Sequence, residues 1–470
     1  MIFKLTKPSK EQKIVGALIL AALSIRIYFS LDGSRFYFGE VVHTWKDTYT
    51  YLDSFKNWWH LGNYQFDLQE PDSRFFRPPG YPLFLGLFYL LTENYERIAA
   101  LAQVLIDTAS CLLSFLIVRK LTKSFNYSIL GCAIYATYPF LIVWVPILYV
   151  EALIAHLTLL IIYISLGLGH KKWLSCFCLG ALAGILFLTK QYMILLAIFP
   201  ITFILLRNWQ IKQKAFLIGA LGFGLASILT PWILRNYIVS GELIISRGES
   251  TGIIYVGRDF EAFERFVNLF DQNVTPYRSA VAHEGTLQLS RHEEFVEKHK
   301  QAIDSASNLA YECGASFTSL RGVERNRVYE IDCTDEVISR FQDLTRLAWS
   351  ELPLISLLQT RIEAVAKIFV GNIENDPRLS HRVLYAYRFI VLILGIAAII
   401  FLLSKKDNEL RSAALAFLCT WFALSALFAL HFVHVEIRYM LIPDLLLILA
   451  APYGVQFLGA YASSQNRELQ

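Results

Sequence analysis

Asp47-Thr-Tyr-Thr-Tyr51 and, shortly after it, Arg74-Phe-Phe-Arg77-Pro-Pro-Gly-Tyr-Pro82 follow the first apolar run of this 470-residue chain, Ile14 to Leu31. That run is long enough to cross a bilayer. A carboxylate, two arginines and a Pro-Pro-Gly turn therefore stand where the chain has just left the membrane. Charge is costly there unless it is paired, and groups kept in such a place usually handle a charged substrate. Proline locks φ and glycine frees it, so the turn sets where Arg77 points.

Working outward, the composition makes the chain a multi-span membrane protein: 55% of it is hydrophobic, 14% is aromatic and the mean hydropathy is +0.44. A net charge of +4 from 43 basic and 39 acidic residues is too balanced for a nucleic-acid binder, so partners are sought in the membrane. The lysines at 4, 7, 10 and 13 before the first run mark a retained signal-anchor rather than a cleaved signal.

Apolar segments of spanning length fall at roughly 14–31, 98–118, 126–146, 147–168, 173–189, 192–207, 215–234, 384–404, 412–430 and 438–458. Arg119/Lys120/Lys123, Lys171/Lys172, Arg207/Lys212/Lys214 and Lys405/Lys406/Arg411 lie in loops on one side, which places both termini in the cytoplasm. This requires residues 79–92, apolar but short, to lie along the outer leaflet as an interfacial helix. The expected fold is all-α and integral to the membrane. It has about ten transmembrane helices, interfacial helices in a first outer loop at 32–97, and a mostly helical extracytoplasmic cap. Three parts follow: a catalytic transmembrane module at 1–234, an extracytoplasmic loop domain at 235–382, and C-terminal transmembrane helices at 383–470.

The polar residues on the outer face are the candidates for chemistry. Asp47 sits among Trp45, Tyr49, Tyr51, Trp58 and Trp59, a pattern that also suits an aromatic belt beside a solvated carboxylate. Glu151 opens the fourth span, where the helix dipole alone would favour it. Lys190 follows the fifth span and Arg235 closes the seventh in Pro231-Trp-Ile-Leu-Arg235-Asn-Tyr237, and snorkelling accounts equally well for either. A glycine-containing tail then leads through Tyr255 to Arg258. The last outer turn holds His431, His434, Glu436 and Arg438, and two histidines without a third ligand do not make a metal site. Of the seven cysteines, only Cys313 and Cys333 lie in a polar region, where they form the candidate disulfide if the compartment is oxidising. The others fall in apolar spans, and Cys176 and Cys178 stand two apart on a helix, off a common face.

With these residues assembled, the chain resembles the C-type (GT-C) superfamily of membrane glycosyltransferases. The likeness is greatest to the branch of dolichyl-phosphate-mannose protein mannosyltransferases and bacterial lipid A aminoarabinose transferases. The order of elements carries it: Asp47 with Tyr51, Arg77-Pro-Pro-Gly-Tyr-Pro, Glu151 after a proline, Pro231-Trp to Tyr237, and Arg438-Tyr with Pro443. The resemblance implies that Asp47 is the catalytic base and that Arg77 and Arg235 meet a donor phosphate, with Lys190 and Arg258 as further cations. Tyr49, Tyr51, Arg74, Glu151, Tyr255 and Arg438 complete the candidate pocket. The chain departs from its relatives where Thr48 follows Asp47 in place of a second acid, and where Arg77-Pro-Pro stands for Lys-Pro-Pro.

The implied function is inverting transfer of a monosaccharide from a polyprenyl-phosphate donor to an acceptor hydroxyl or amine on the extracytoplasmic face, in a bacterial inner or plasma membrane. No cofactor is required, although a divalent metal is compatible with the chemistry. The partners are the lipid-linked sugar donor, an acceptor and membrane lipids, with no nucleic acid. The alternative is a transporter or flippase of a polyprenyl-linked or anionic solute. Transporters usually place charge near the bilayer midplane and show related halves, whereas the candidate charges here sit at one surface.

Overall fold

Apolar runs close their backbone hydrogen bonds internally as helices, the form a spanning segment must take where no water can satisfy an amide. The computed structural model describes residues 9–35, 43–44, 46–68, 71–169, 172–245, 266–267, 269–270, 289, 291–309, 334–359, 362–363, 379–430 and 437–468. Among these no strand occurs, and the protein is an all-α integral membrane protein. Six helices are long and apolar enough to cross a bilayer: Lys10–Gly33, Tyr95–Thr122, Ile211–Ser240, Val383–Leu403, Asn408–Phe428 and Leu441–Leu458. Four shorter apolar helices, Gly80–Leu91, Glu151–Ser165, Trp173–Thr189 and Gln191–Leu206, pack among them.

The run expected at 126–146 breaks into Phe125–Thr137 and Pro139–Trp144. A residue before proline avoids the helical region, and Tyr138 is accordingly extended, at φ −67° and ψ 110°. Val145 to Val150 then runs without regular helix, so the next helix begins at Glu151 rather than at 147. The segment expected to end at 234 runs on to Ser240, where Gly241 closes it at φ +74°. Arg235 therefore stands on a helix and not in a loop. The short 79–92 run forms the helix Gly80–Leu91, which buries Tyr81, Leu85 and Gly86 and leaves Leu83, Leu87 and Leu91 uncovered.

One continuous core unites the first helix, the helices from 80 to 240 and those after 379. Its tightest contact joins Trp173–Thr189 to Ile211–Ser240. A Cβ on Gly180 would lie 1.8 Å from the carbonyl oxygen of Leu221, and one on Gly224 would lie 2.0 Å from that of Phe177. Small residues let helix backbones approach so closely where lipid supplies no hydrophobic drive. A second core, built on Phe266, Phe270, Phe295, Val337 and Phe341, gathers the described residues between 266 and 357. The amphipathic helix Thr334–Glu351 forms one wall of it. Cys176 is buried and Cys178 exposed, as their spacing requires, and Cys313 and Cys333 lie outside the described residues.

Two ion pairs lie inside this membrane core. Arg26 meets Asp107, and Arg388 Nε meets Asp444 Oδ2 at 2.7 Å, with all four side chains wholly buried. None of these four residues is among the candidate site charges, and all lie within apolar helices.

Candidate functional site

The Pro-Pro-Gly turn is held on every side. A Cβ on Gly80 would come within 2.6 Å of the carbonyl oxygen of Leu188, so only glycine lets the turn rest against the end of Trp173–Thr189, next to Lys190. Tyr64 donates its hydroxyl to the Arg77 carbonyl at 2.7 Å, and Gln191 Nε2 donates to that of Phe76 at 3.1 Å. The Arg77 side chain, 6% exposed, is thereby aimed at the helix Lys46–Leu61. There its Nε donates to Thr50 Oγ1 at 2.9 Å and its Nη1 to the Tyr51 hydroxyl at 3.2 Å, with the guanidinium 4.3 Å from the Tyr51 ring centre. Asp47, Thr50 and Tyr51 recur at i, i+3 and i+4 on this helix, which puts the Asp47 position on the face that Arg77 meets. The Asp47 side chain itself lies outside the described residues.

Arg235 reaches the same region from Ile211–Ser240, where it binds two backbone carbonyls of the first loop besides Asn236 Oδ1 on its own helix. Nη1 donates to the Arg74 carbonyl at 2.9 Å and Nη2 to that of Tyr64 at 3.0 Å, with the Tyr64, Phe75 and Trp232 rings around the guanidinium. A planar fork gripping two carbonyls fixes the path of the first loop. Burial raises the Tyr64 phenol well above its usual value, against the opposing pull of Arg235 and Arg77, so it stays a neutral donor. Arg74 Nε is buried with no hydrogen-bond partner among the described residues.

A third strip lies beneath. Tyr51 meets Tyr81 edge to face at 5.0 Å, and Tyr81 donates to Gln103 Oε1 at 2.6 Å. Gln103 Nε2 in turn donates to the carbonyls of Val145 and Ile147, at 2.8 and 2.7 Å, in the irregular stretch that ends at Glu151. The Leu148 amide donates to the His43 carbonyl at 2.7 Å, and Thr48 Oγ1 to the Leu148 carbonyl at 3.1 Å, which ties the strip to the start of Lys46–Leu61. Glu151 is 7% exposed, and its charge acts on Tyr81. Lys190, also 7% exposed, has its ammonium 5.4 Å from the Tyr192 ring centre and 5.1 Å from that of Tyr439. It is enclosed and does not snorkel.

Arg77 thus meets Thr50 and Tyr51 on the helix that carries Asp47, and Arg235 holds the loop at Tyr64 and Arg74. Glu151 follows the strip tied to His43 and Thr48, and Lys190 lies past the Pro-Pro-Gly turn beside Tyr192 and Tyr439. Tyr49 and Trp58 are on the helix that carries Asp47 but exposed. Tyr255, Arg258, His431 and His434 lie outside the described residues, as does the side chain of Arg438. No group of three potential metal ligands occurs among the described residues. Gln103 and the buried ion pairs are the residues that sequence reasoning missed. A signal existed for some of them: Gln103, Asp107, Ser110, Cys111 and Ser114 recur at helical spacing along an apolar span, a polar stripe that asks for partners.

Residues 76–233 match the family model of dolichyl-phosphate-mannose-protein mannosyltransferases. The matched stretch includes Arg77, Glu151 and Lys190 and leaves out Asp47 and Arg235. A comparison with curated proteins gives no match. Among solved structures, the oligosaccharyltransferase of Archaeoglobus fulgidus in its apo form is 11% identical with a TM-score of 0.49, and the similarity covers 98% of this chain and 52% of that one. The chain thus spans about half the length of that enzyme. ArnT from Cupriavidus metallidurans, bound to undecaprenyl phosphate, is 14% identical with a TM-score of 0.36, covering 96% of this chain and 79% of that one. The family match covers residues 76–233, about a third of the chain, and over that stretch the chain is similar to the dolichyl-phosphate-mannose-protein mannosyltransferases.

Proposed function

We propose that this membrane glycosyltransferase transfers a single monosaccharide, with inversion, from a polyprenyl-phosphate donor to an acceptor hydroxyl or amine on the extracytoplasmic face, both termini being cytoplasmic. The observation that supports this best is the Arg77 turn, clamped at its backbone and aimed at the helix face that includes Asp47.

The anomeric carbon loses its bond to the phosphate oxygen as the acceptor oxygen or nitrogen bonds to it from the opposite side. Asp47 accepts the acceptor's proton, a role typically contributing about 10²–10⁴-fold in rate. Polyprenyl phosphate departs with the electron pair. Arg77 and Lys190 stabilise its charge through charge-assisted contacts, so no general acid is needed at the leaving group. Arg235 contributes by fixing the first loop, and the aromatic side chains around Arg77 exclude water. A divalent metal would add to this charge stabilisation without changing the residue roles.

The test is sugar transfer by the full chain in lipid nanodiscs, with a panel of radiolabelled polyprenyl-phosphate monosaccharides and the variants Asp47→Asn and Arg77→Ala. Release of polyprenyl phosphate that falls by about 10²-fold or more in Asp47→Asn is expected. Full turnover by a folded Asp47→Asn variant would refute the base and move the role to Glu151 or Asp53. No turnover of any donor by the wild type, with vectorial movement of lipid-linked sugar instead, would establish the transporter.

A further inference from the structure

We infer that two buried tyrosine–aspartate–arginine clusters, Tyr135–Asp107–Arg26 and Tyr138–Asp444–Arg388, are positioning elements that hold the helix break at Tyr138 and, through it, the strip beneath the candidate site. The inference rests on the proposed function only where activity is read.

The clusters grip the break from opposite sides. Tyr135, two residues before the end of Phe125–Thr137, donates to Asp107 Oδ1 at 2.6 Å, and Asp107 pairs with Arg26 of the first helix. Arg26 Nη1 also donates to the Ala136 carbonyl at 3.1 Å, satisfying an acceptor that the broken helix leaves without an intrahelical donor. From the other side Tyr138, the break residue itself, donates to Asp444 Oδ2 at 2.7 Å. Asp444 takes both arms of Arg388, Nε at 2.7 Å and Nη2 at 3.1 Å. Thr137 Oγ1 and the Tyr387 hydroxyl, 3.0 Å apart, add a further tie to the helix that carries Arg388.

A break needs holding because a helix interrupted in lipid exposes carbonyls and can re-form elsewhere. Here its placement matters, because the short helix Pro139–Trp144 leads directly into Val145–Val150. That strip carries the carbonyls bound by Gln103 and Thr48 and ends at Glu151. Neither arginine and neither aspartate falls at the surface of the site, and Arg26, Arg388 and Asp444 all lie outside the family match. Through these clusters the first helix and the C-terminal helices act on the strip, and Tyr439 also packs directly beside Lys190. The chemistry suits this role, since an aspartate wholly buried with an arginine and a phenol has a single satisfied geometry.

Tyr138→Phe removes one hydroxyl and leaves the Arg388–Asp444 pair in place, which favours a folded variant. Ser114→Ala serves as the control, because Ser114 joins the helices Tyr95–Thr122 and Phe125–Thr137 through the Gly131 carbonyl, away from the break. Backbone amide exchange in nanodiscs is followed at Ile147, Leu148 and Tyr149, whose amides donate to the carbonyls of Trp144, His43 and Ile147. Tyr138→Phe is expected to speed exchange there by about tenfold or more. The kcat for sugar transfer should fall by a similar factor at unchanged donor KM, while Ser114→Ala leaves both as in the wild type. Exchange in the strip that is unchanged in Tyr138→Phe, or raised equally by Ser114→Ala, would overturn the inference. If the wild type transfers no sugar, the functional reading fails and the exchange measurement alone decides this one.

Discussion

In the membrane helices Arg26 and Asp107, and Arg388 and Asp444, meet with no exposed surface, whereas in the region around the second core Arg340 and Glu336 pair with 40% and 54% of their side chains exposed. Both regions use the same residue types, and the surroundings decide what those residues do. A buried ion pair must be complete, because either partner alone becomes an uncompensated charge. An exposed pair in water can be removed with little effect. The membrane part therefore uses charge to specify one arrangement of helices, and the 266–363 region relies on the packing of its phenylalanines.

The most forceful way to break this contrast is Asp444→Leu, which should destabilise the membrane part by about 3–5 kcal/mol by stranding Arg388. The double variant Arg388→Met with Asp444→Leu should recover most of that loss in thermal unfolding of the detergent-solubilised protein. A single variant no worse than the double one would mean that the pair is solvated and the contrast false. Next in size, Phe341→Ala should weaken the second core by about 3 kcal/mol. Limited proteolysis should then accelerate between residues 266 and 363 while the midpoint for the membrane helices stays in place. Cleavage spreading into the spans would show that the two cores are one.

Arg235→Lys probes how the first loop is held. Lysine cannot grip two carbonyls as a planar fork does, and the change should destabilise the first loop by roughly 1.5 kcal/mol. Faster amide exchange around Tyr64 and Arg74 would record it. The smallest effect concerns Glu351, at the protein surface, whose carboxyl is held below its usual value by hydrogen bonds from His299 and Lys298. A depressed folded value means the contribution is complete above the usual carboxylate range near 4.5 and fades as the pH falls below it. Glu351→Gln should therefore flatten a shallow acid limb in the unfolding of this region and leave neutral-pH stability nearly unchanged. A steep acid limb lost with this single residue would place Glu351 in the class of the membrane pairs.

Much of this architecture was legible along the chain, because a bilayer makes hydrophobic length a direct readout of fold. The helical class and the short helix after the Pro-Pro-Gly turn followed from local pattern. Two boundaries did not. The run 126–146 looked continuous because its mean apolarity hides the effect of Pro139 on Tyr138. The helix expected to end at 234 runs on to Ser240, since Arg235, Asn236 and Tyr237 end the apolar run without ending the helix, which Gly241 closes. Arg26, Arg388 and Asp444 escaped notice for a different reason, each reading alone as an isolated charge in an apolar run, while the polar stripe around Asp107 does not name its partner.

What the sequence determined by itself was the kind of molecule and which polar groups flank its apolar runs, since both depend on composition and spacing within tens of residues. What only the tertiary structure decided was partnership. Residues 26 and 107 pair across the bundle, 138 pairs with 444 and 388, and Arg235 grips the carbonyls of residues 64 and 74 rather than standing open beside Arg77. Such choices are made by packing: a buried charge accepts only a partner that the fold brings within hydrogen-bond reach, and that distance is not encoded in any one stretch of chain.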